Sequence, residues 1–585
     1  MRKKALFFPV LAALMLAGCS NDDVSEVIQD ETPKVFTGDE AYIAVRLCDA
    51  GSTMSRATTK DPGYEYGSED EHSVQNAYFY FYDANGVFVS EGSAWNDGTP
   101  SSDSPVGNIE FKSNNVVVLK GLTKKNYPKY MVTVLNRPSD FEYGTTLDQM
   151  EKTLSGGIKD SKEKFVMSTT SWAGQKDAQG KGMKYFVTET QESNFSLEPI
   201  DHAANSDNYV TVYVERLAAK VTLSVSSDLA LTEIDGKKYY EITATVAGED
   251  NNNNDDKATE NLYVELLGWK LNATAKNSYM VKNLNENWTD TELGFAWNKR
   301  TDFRSFWGKS FNYGQSGYPA NASEASDCKY LDYFNLNDNL VDLGKSAYCA
   351  ENTNTSDIVS GNFPSAVTSI LVKAKVCDEK GNALDLVRFN GMLFKQSSFL
   401  EYVLNVMNAK GLLNVWVEIT PEGSSDKKYK QIGTDNVELT DAGDGKVIVV
   451  LKEGVKLYER SGQEGSYTYT EMTNFSTVEN NLKKESGDAI GYNGGLMYYN
   501  IPIEHLNETN KTNGVYDGIK EGNYGVVRNH HYYVTINKLE KIGKGIYNPN
   551  EAIVPGGDDD DKDTYYVGAT IHILSWKIVI QNVEL

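Results

Sequence analysis

The stretch Ala41-Tyr42-Ile43-Ala44-Val45-Arg46-Leu47 alternates Ile43, Val45 and Leu47 against Tyr42, Ala44 and Arg46, the period of a strand with one buried face. The flanking residues constrain the fold more than the strand does. After it comes Asp49-Ala50-Gly51-Ser52-Thr53-Met54-Ser55-Arg56-Ala57-Thr58, a small-residue loop with one arginine, the kind of extended segment a trypsin-like protease cuts. Before it stand the basic Met1-Arg2-Lys3-Lys4, an apolar run from Ala5 to Leu14, and Leu16-Ala17-Gly18-Cys19. The apolar run is too short for an ordinary membrane span and reads as a lipoprotein signal peptide with Cys19 as the lipidated residue. A lipid anchor, a strand and a cuttable loop in this order imply a strand that is removed, with cleavage between Arg56 and Ala57.

Composition narrows the class. At 585 residues the chain is long enough for two or more domains and apolar enough for a proper core. Its net charge of -25, with no basic cluster beyond the signal, argues against nucleic acid as a partner. Tyr (36) outnumbers Phe (21), and Thr, Val, Asn and Gly are abundant, which favours strands and turns. Of five cysteines, Cys19 takes lipid and Cys48 precedes the cut, leaving Cys328, Cys349 and Cys377. These three fit no zinc spacing; they read as reduced and buried, with a Cys328 to Cys349 bridge as the rival.

Strand patterns run the length of the chain. Asn76-Ala77-Tyr78-Phe79-Tyr80-Phe81-Tyr82 carries two aromatic faces, Asp83-Ala84-Asn85-Gly86 is a hairpin turn, and Val87-Phe88-Val89 returns. Further strands are expected at 115–119, 130–135, 209–215, 219–224, 239–246, 366–376, 399–405, 411–418, 446–451 and 531–536, with brief helical periodicity at 146–154. Antiparallel sheets packed face to face are the expected architecture. The polar run 249–256 marks a solvated loop and Asp558-Asp559-Asp560-Asp561-Lys562 a flexible linker. Beyond it, the apolar phase runs through Val567, Ala569, Ile571 and Ile573, then shifts to Leu574, Trp576, Ile578 and Ile580, which implies a bulge or bend between two strand pieces.

Catalytic constellations are missing from the sequence. It holds no HExxH or GxSxG, and its Gly-Lys-Ser triplets lack the preceding glycine of a phosphate loop. His530-His531 reads as a strand-edge pair, not a metal site. No enzyme, catalytic residue, cofactor or metal is therefore expected.

Several segments together resemble the Bacteroidales fimbrillin family, the structural subunits of type V pili, and within it the short (minor) fimbrium shaft subunits. They are the lipobox at Cys19, with Ser20-Asn21-Asp22-Asp23 like a Bacteroidota surface-export signal, and the early strand with Ser55-Arg56-Ala57. The hairpin 77–89, Val214-Glu215-Arg216-Leu217-Ala218-Ala219-Lys220-Val221 and Val527-Arg528-Asn529-His530-His531-Tyr532-Tyr533-Val534-Thr535-Ile536-Asn537-Lys538-Leu539 continue the pattern, and Leu574-Ser575-Trp576-Lys577 with Val583-Glu584-Leu585 closes it.

The resemblance implies an all-β fold of two tandem β-sandwich domains, Greek-key-like and transthyretin-like. Expected divisions are a signal peptide (1–18), a propeptide with the removable strand (19–56), an N-terminal sandwich (57–225), a C-terminal sandwich (226–563) and a C-terminal donor strand (564–585). It implies a structural pilin exported as an outer-membrane lipoprotein, matured after Arg56 by an Arg-specific surface protease, and polymerised by donor-strand exchange into a cell-surface fimbrium serving adhesion and biofilm formation. Its partners would be other copies of itself and accessory tip and anchor subunits. Losing Ile43, Val45 and Leu47 would open an apolar groove with unpaired backbone, and Ile571, Ile573, Leu574, Trp576, Ile578 and Ile580 of another copy would fill it. A tip or anchor subunit, or a surface glycan-binding lipoprotein, are the alternatives left open.

Overall fold

A computed structural model describes residues 40–49, 68–94, 115–120, 128–170, 185–196, 210–247, 257–283, 308–353, 365–421, 423–505, 524–556, 568–575 and 578–579. The fold is all-β. Its first unit is a nine-stranded sheet of β1 (Glu40–Asp49), β2 (Ala77–Tyr82), β3 (Phe88–Ala94), β4 (Asn115–Lys120), β5 (Tyr130–Leu135), β6 (Met167–Thr169), β7 (Thr188–Glu189), β8 (Phe195–Ser196) and β9 (Val210–Arg216). The main path runs β3-β2-β5-β6-β9-β1-β4, with β7 beside β5 and β8 beside β1.

The β2/β3 hairpin shows how local sequence sets this sheet. Asp83 Oδ1 accepts the amides of Asn85 (2.8 Å) and Val87 (2.9 Å), while Gly86 takes the positive φ of 75° that closes the turn. Both faces of β2 are covered, as the alternating aromatics imply. Tyr80 and Tyr82 join Val132, Val134, Leu147 and Met150 in one core, and Phe79 and Phe81 join Met131, Leu135, Phe195 and Val212 in the other.

After β9 the chain changes sheet within two residues. β10 (Ala218–Val225) lies antiparallel to Ser346–Ala350 and parallel to His530–Lys538, inside a seven-stranded sheet that continues to Gly568–Ser575 and Ile578–Val579. β10 continues the apolar run of β9, while its backbone partners lie in the second half of the chain. An eleven-stranded sheet, with Lys237–Ala247, Lys257–Asn272, Ser369–Cys377 and Leu496–Pro502 at its centre, packs across from the seven-stranded one. Val221 and Leu223 of β10, with Tyr532 and Val534, meet Ile242, Val264, Trp269, Val372 and Tyr499 in the shared core. This is face-to-face sheet packing.

Two expectations fail in the second half. Residues 399–405 are not a strand: they lie in the helix Gln396–Ala409, whose buried Phe399, Leu400, Val403, Leu404 and Met407 recur at helical spacing. That helix, a second at Ser476–Ser486 and a four-stranded sheet pack with the end of the eleven-stranded sheet around a further core, including Val415, Val417, Leu457, Val478 and Leu482 together with Val437 and Val449 of that sheet. Nor do His530 and His531 sit at a strand edge. Their strand lies between β10 and Gly568–Ser575, and each is about 1% exposed.

Candidate functional site

The position of β1 gives the first unit its distinctive geometry. One edge pairs antiparallel with β4, from Glu40 opposite Lys120 to Val45 opposite Asn115. The other edge pairs antiparallel with β8 at Tyr42 and Ile43, then parallel with β9 from Val45 opposite Val210 to Asp49 opposite Val214. β4 is the last strand of the sheet and is joined to it through β1. The register sets Ile43 beside Phe195, Val45 beside Val210 and Leu47 beside Val212, and all three of those partners are buried. Taking β1 out would leave unpaired amides and carbonyls on β4, β8 and β9 and bare an apolar floor.

Beside this slot lies a buried ionic seam that joins the two halves. Glu71, in the short helix Glu69–His72, accepts the amide of Ser68 (2.6 Å), the ammonium of Lys220 in β10 (2.9 Å) and the hydroxyl of Tyr348. Burial alone would raise its pKa, but the Tyr348 and Lys220 hydrogen bonds outweigh that and hold the carboxyl below its usual range. Arg216 donates from Nε to the Glu71 carbonyl (2.8 Å) and from Nη1 to Asn529 Oδ1 (3.3 Å). Asn529, at φ 58°, also donates its own amide to the Ala218 carbonyl (2.7 Å), pinning the start of the His530–Lys538 strand against β10.

Deeper in the seam, Lys282 meets Glu215 at 3.1 Å and Arg528 meets Glu351 at 3.1 Å, with all four side chains at most 1% exposed. Arg528 further donates to the carbonyl of Tyr279 (2.8 Å) and to Ser278 Oγ (3.1 Å). Burial pushes the Glu215 carboxyl above its usual range against the pull of Lys282 and Arg528. Burial likewise lowers His505, and it brings His530 down to about 4, with the Arg528 carbonyl opposing and Lys282 adding to the shift. The seam thus unites two sequence segments the resemblance quoted without a role, 214–221 and 527–539. Its partners Glu71, Lys282 and Glu351 went unnoticed, since each lies far along the chain; a charge set in an otherwise apolar strand pattern was the available signal.

The carboxyl-terminal segment is a third part of the geometry. Gly568–Ser575 pairs with His530–Lys538 of the same chain, placing Ile571 opposite Val534, Ile573 opposite Tyr532 and Leu574 opposite His531. The chain then reverses, and Ile578–Val579 pairs back, Ile578 opposite Leu574. The phase shift in the sequence is thus a reversal of direction. In this structure the segment is an outer strand of its own subunit and does not touch β1's sheet order. Cys19, Arg56, Ala57, Trp576 and Ile580 lie outside the described residues.

Other chemistry is sparse. Cys328, Cys349 and Cys377 are free and buried, and burial pushes the Cys349 thiol up to about 12. Among the described residues, no group of three or more His, Cys, Asp or Glu side chains could hold a metal ion. A cavity of about 30 Å³ between Asp444, Tyr498, Tyr547 and Val554 has room for a water and none for a sugar or nucleotide.

The chain is similar to several solved structures. They include a putative cell adhesion protein from Parabacteroides distasonis (11% identity, TM-score 0.35, covering 92% of this chain and 98% of that one) and a fimbrilin from Porphyromonas gingivalis (11%, 0.34, 92% and 98%). The tip fimbrial protein Mfa3 of Porphyromonas gingivalis is another (11%, 0.31, 86% and 97%). Likeness at these scores decides nothing about this chain. No curated protein sequence matches it. Residues 491–582 match the family described as major fimbrial subunit protein type IV, fimbrillin, C-terminal, a span that holds Arg528, Asn529, the His530–Lys538 strand and Gly568–Ser575. Through that segment the chain is similar to the fimbrillin family of fimbrial subunits.

Proposed function

We propose that this fimbrial subunit is a shaft pilin that polymerises by exchanging strands. It is exported as a lipoprotein on Cys19, cut between Arg56 and Ala57, and stripped of β1. The vacated slot then takes the carboxyl-terminal strand of another copy. The observation that carries this reading is the pairing of β1 along both edges, with β4 on one side and β8 and β9 on the other, in a strand that a single cut at Arg56 would detach from the chain. An empty slot of that kind is costly until refilled, and refilling it from another copy is a heterologous contact that grows a filament. The donor must first leave its place beside His530–Lys538.

The polymer would project from the cell surface, where adhesion and biofilm cohesion follow from multivalent display. The test is amino-terminal sequencing of material sheared from the surface of expressing cells, beside an Arg56→Ala chain. A mature start at Ala57, with fibres lost in Arg56→Ala and monomer folding retained, supports the reading. Fibres that keep residues 40–49 would overturn it, and a retained lipidated Cys19 in them would favour an anchor subunit.

A further inference from the structure

The four-stranded sheet of the 396–486 module shares no strand with β1's sheet or with the sheet that holds the carboxyl-terminal segment. Strand polymerisation leaves it unused. Its strands are Val415–Glu418, Tyr429–Gln431, Tyr458–Ser461 and Thr468–Glu471, in the order 429–431, 415–418, 458–461, 468–471. Strand alternation sends Val415 and Val417 into the module's core and leaves Trp416 and Glu418 on the opposite face.

That outer face is an aromatic cluster built around one cation. Tyr429 and Tyr469 stack with centroids 4.1 Å apart and an interplanar angle of 11°. Trp416 meets Tyr469 edge-on at 5.5 Å, and Tyr458 meets Tyr429 edge-on at 5.0 Å. The Arg460 guanidinium lies 4.3 Å from the Trp416 ring and 4.2 Å from the Tyr467 ring, and Tyr467 is 40% exposed. Ile419, at the end of the central strand, is exposed as well (46%).

The charges around the face are unequal in their pairing. Lys427 is matched by Glu418 (3.2 Å), Lys430 by Asp435 (3.2 Å) and Lys456 by Glu471 (3.2 Å). Arg460 meets no carboxylate among the described residues. Rings against the guanidinium leave its in-plane N–H donors as the route for recognition, and a planar carboxylate is the acceptor that such a fork takes two-pronged. The exposed Tyr467 ring beside it offers an apolar platform of the size of a pyranose, whose C–H face is the complementary surface.

We propose that this face binds a carboxylated sugar, a uronic or sialic acid residue of an oligosaccharide, with the carboxylate on Arg460 and the pyranose ring against Tyr467. A rigid aromatic and arginine face on a module apart from the polymer seams gives each subunit one copy of the site, so a filament would present many.

The test is titration of the full chain with 3′-sialyllactose and with a galacturonic acid trimer, followed by tryptophan fluorescence and calorimetry, with lactose and inorganic phosphate as parallel arms. Saturable binding of at least one acidic sugar, about tenfold tighter than lactose, is expected. Arg460→Gln should erase that preference, Arg460→Lys should restore only part of it, and Tyr467→Ala should weaken the acidic sugar without changing the melting temperature. Equal binding of lactose and the acidic sugars, phosphate displacing the sugar as well as free sugar does, or no saturable signal would each overturn the proposal. All three variants are read against thermal melts, and loss of binding in an Arg460 variant that also unfolds counts only if Tyr467→Ala, on the exposed ring, reproduces it. Failure here leaves strand exchange untouched, since that reading is tested at Arg56.

Discussion

Arg528 and Glu351 are so enclosed that neither can turn to water if the other is lost. Removing one partner of such a pair strands a buried charge, whereas removing both leaves a neutral gap. Arg528→Met should therefore destabilise the chain by about 3 to 5 kcal/mol, and Arg528→Met with Glu351→Gln should recover most of that; urea denaturation measures both. A double variant no more stable than the single one would show that Arg528 acts through its bonds to Ser278 and Tyr279 instead. The seam also carries a pH signature. His530 is held neutral in the fold, its pKa lowered from 6.5 to about 4 by burial, with Lys282 nearby and His505 lowered beside it. Because the unfolded chain takes up the proton first, stability should fall as pH drops from 6.5 toward 4, by about 3 kcal/mol for His530 alone. Glu71, depressed below its usual range, adds a loss below pH 4.5, while Glu215, raised above it, opposes the trend. His530→Asn should flatten the slope of unfolding free energy between pH 7 and 4.5, and an unchanged slope would exclude His530 as its source.

At the scale of elements, the register of β1 makes a test that separates precursor from polymer. Val45 lies opposite Val210, which is 5% exposed, so a lysine at position 45 would bring a charge to the edge of a dry core. Val45→Lys should lower the melting temperature of the uncleaved chain and leave mature fibres as stable as before, because they no longer contain residue 45. Fibres weakened to the same degree would mean that β1 stays in the mature subunit. Much of this architecture was legible. Alternation announced β1 and the Asp83 to Gly86 turn announced the β2/β3 hairpin, while the shift of apolar phase at Leu574, read as a bulge or bend, is a reversal of direction. What failed was information that sequence carries only weakly. The helix Gln396–Ala409 contains Phe, Tyr and Val, residues that favour strands, and its apolar run is as consistent with a strand as with a helix until the spacing Phe399, Val403, Met407 is counted. β10 continues the pattern of β9 without a turn signal, so its change of sheet depends on partners more than a hundred residues away. The seam was illegible for the same reason: Glu71 with Lys220, and Arg216 with Asn529, are meetings that topology alone creates.

For the whole molecule, the decisive question is what the carboxyl-terminal strand does when it is not beside His530–Lys538. In that position Ile571 and Ile573 stand opposite Val534 and Tyr532, two residues apart, and in the other unit Val45 and Leu47 stand opposite Val210 and Val212 at the same two-residue interval. A donor that keeps this two-residue period could take the vacated slot in the register β1 now holds. Each fully buried Ile or Leu contributes about 1.5 to 3 kcal/mol, so a donor with several of them holds far more firmly than a surface contact between subunits. Removing everything from Tyr565 onward should leave the uncleaved chain folded, because His530–Lys538 keeps its pairing with β10 and β1 keeps its own place. Its melting temperature should fall by only a few degrees, yet after cleavage it should form no fibres. A synthetic peptide of residues 565–585 added to cleaved, full-length subunits should cap them and block growth, and a peptide of residues 40–49 should compete with it for the same slot. Melting curves, electron microscopy and peptide competition give three independent readings. If the truncated precursor unfolds, or if the 40–49 peptide leaves binding of 565–585 unchanged, the carboxyl-terminal strand belongs to its own sandwich and the filament is built by some other contact.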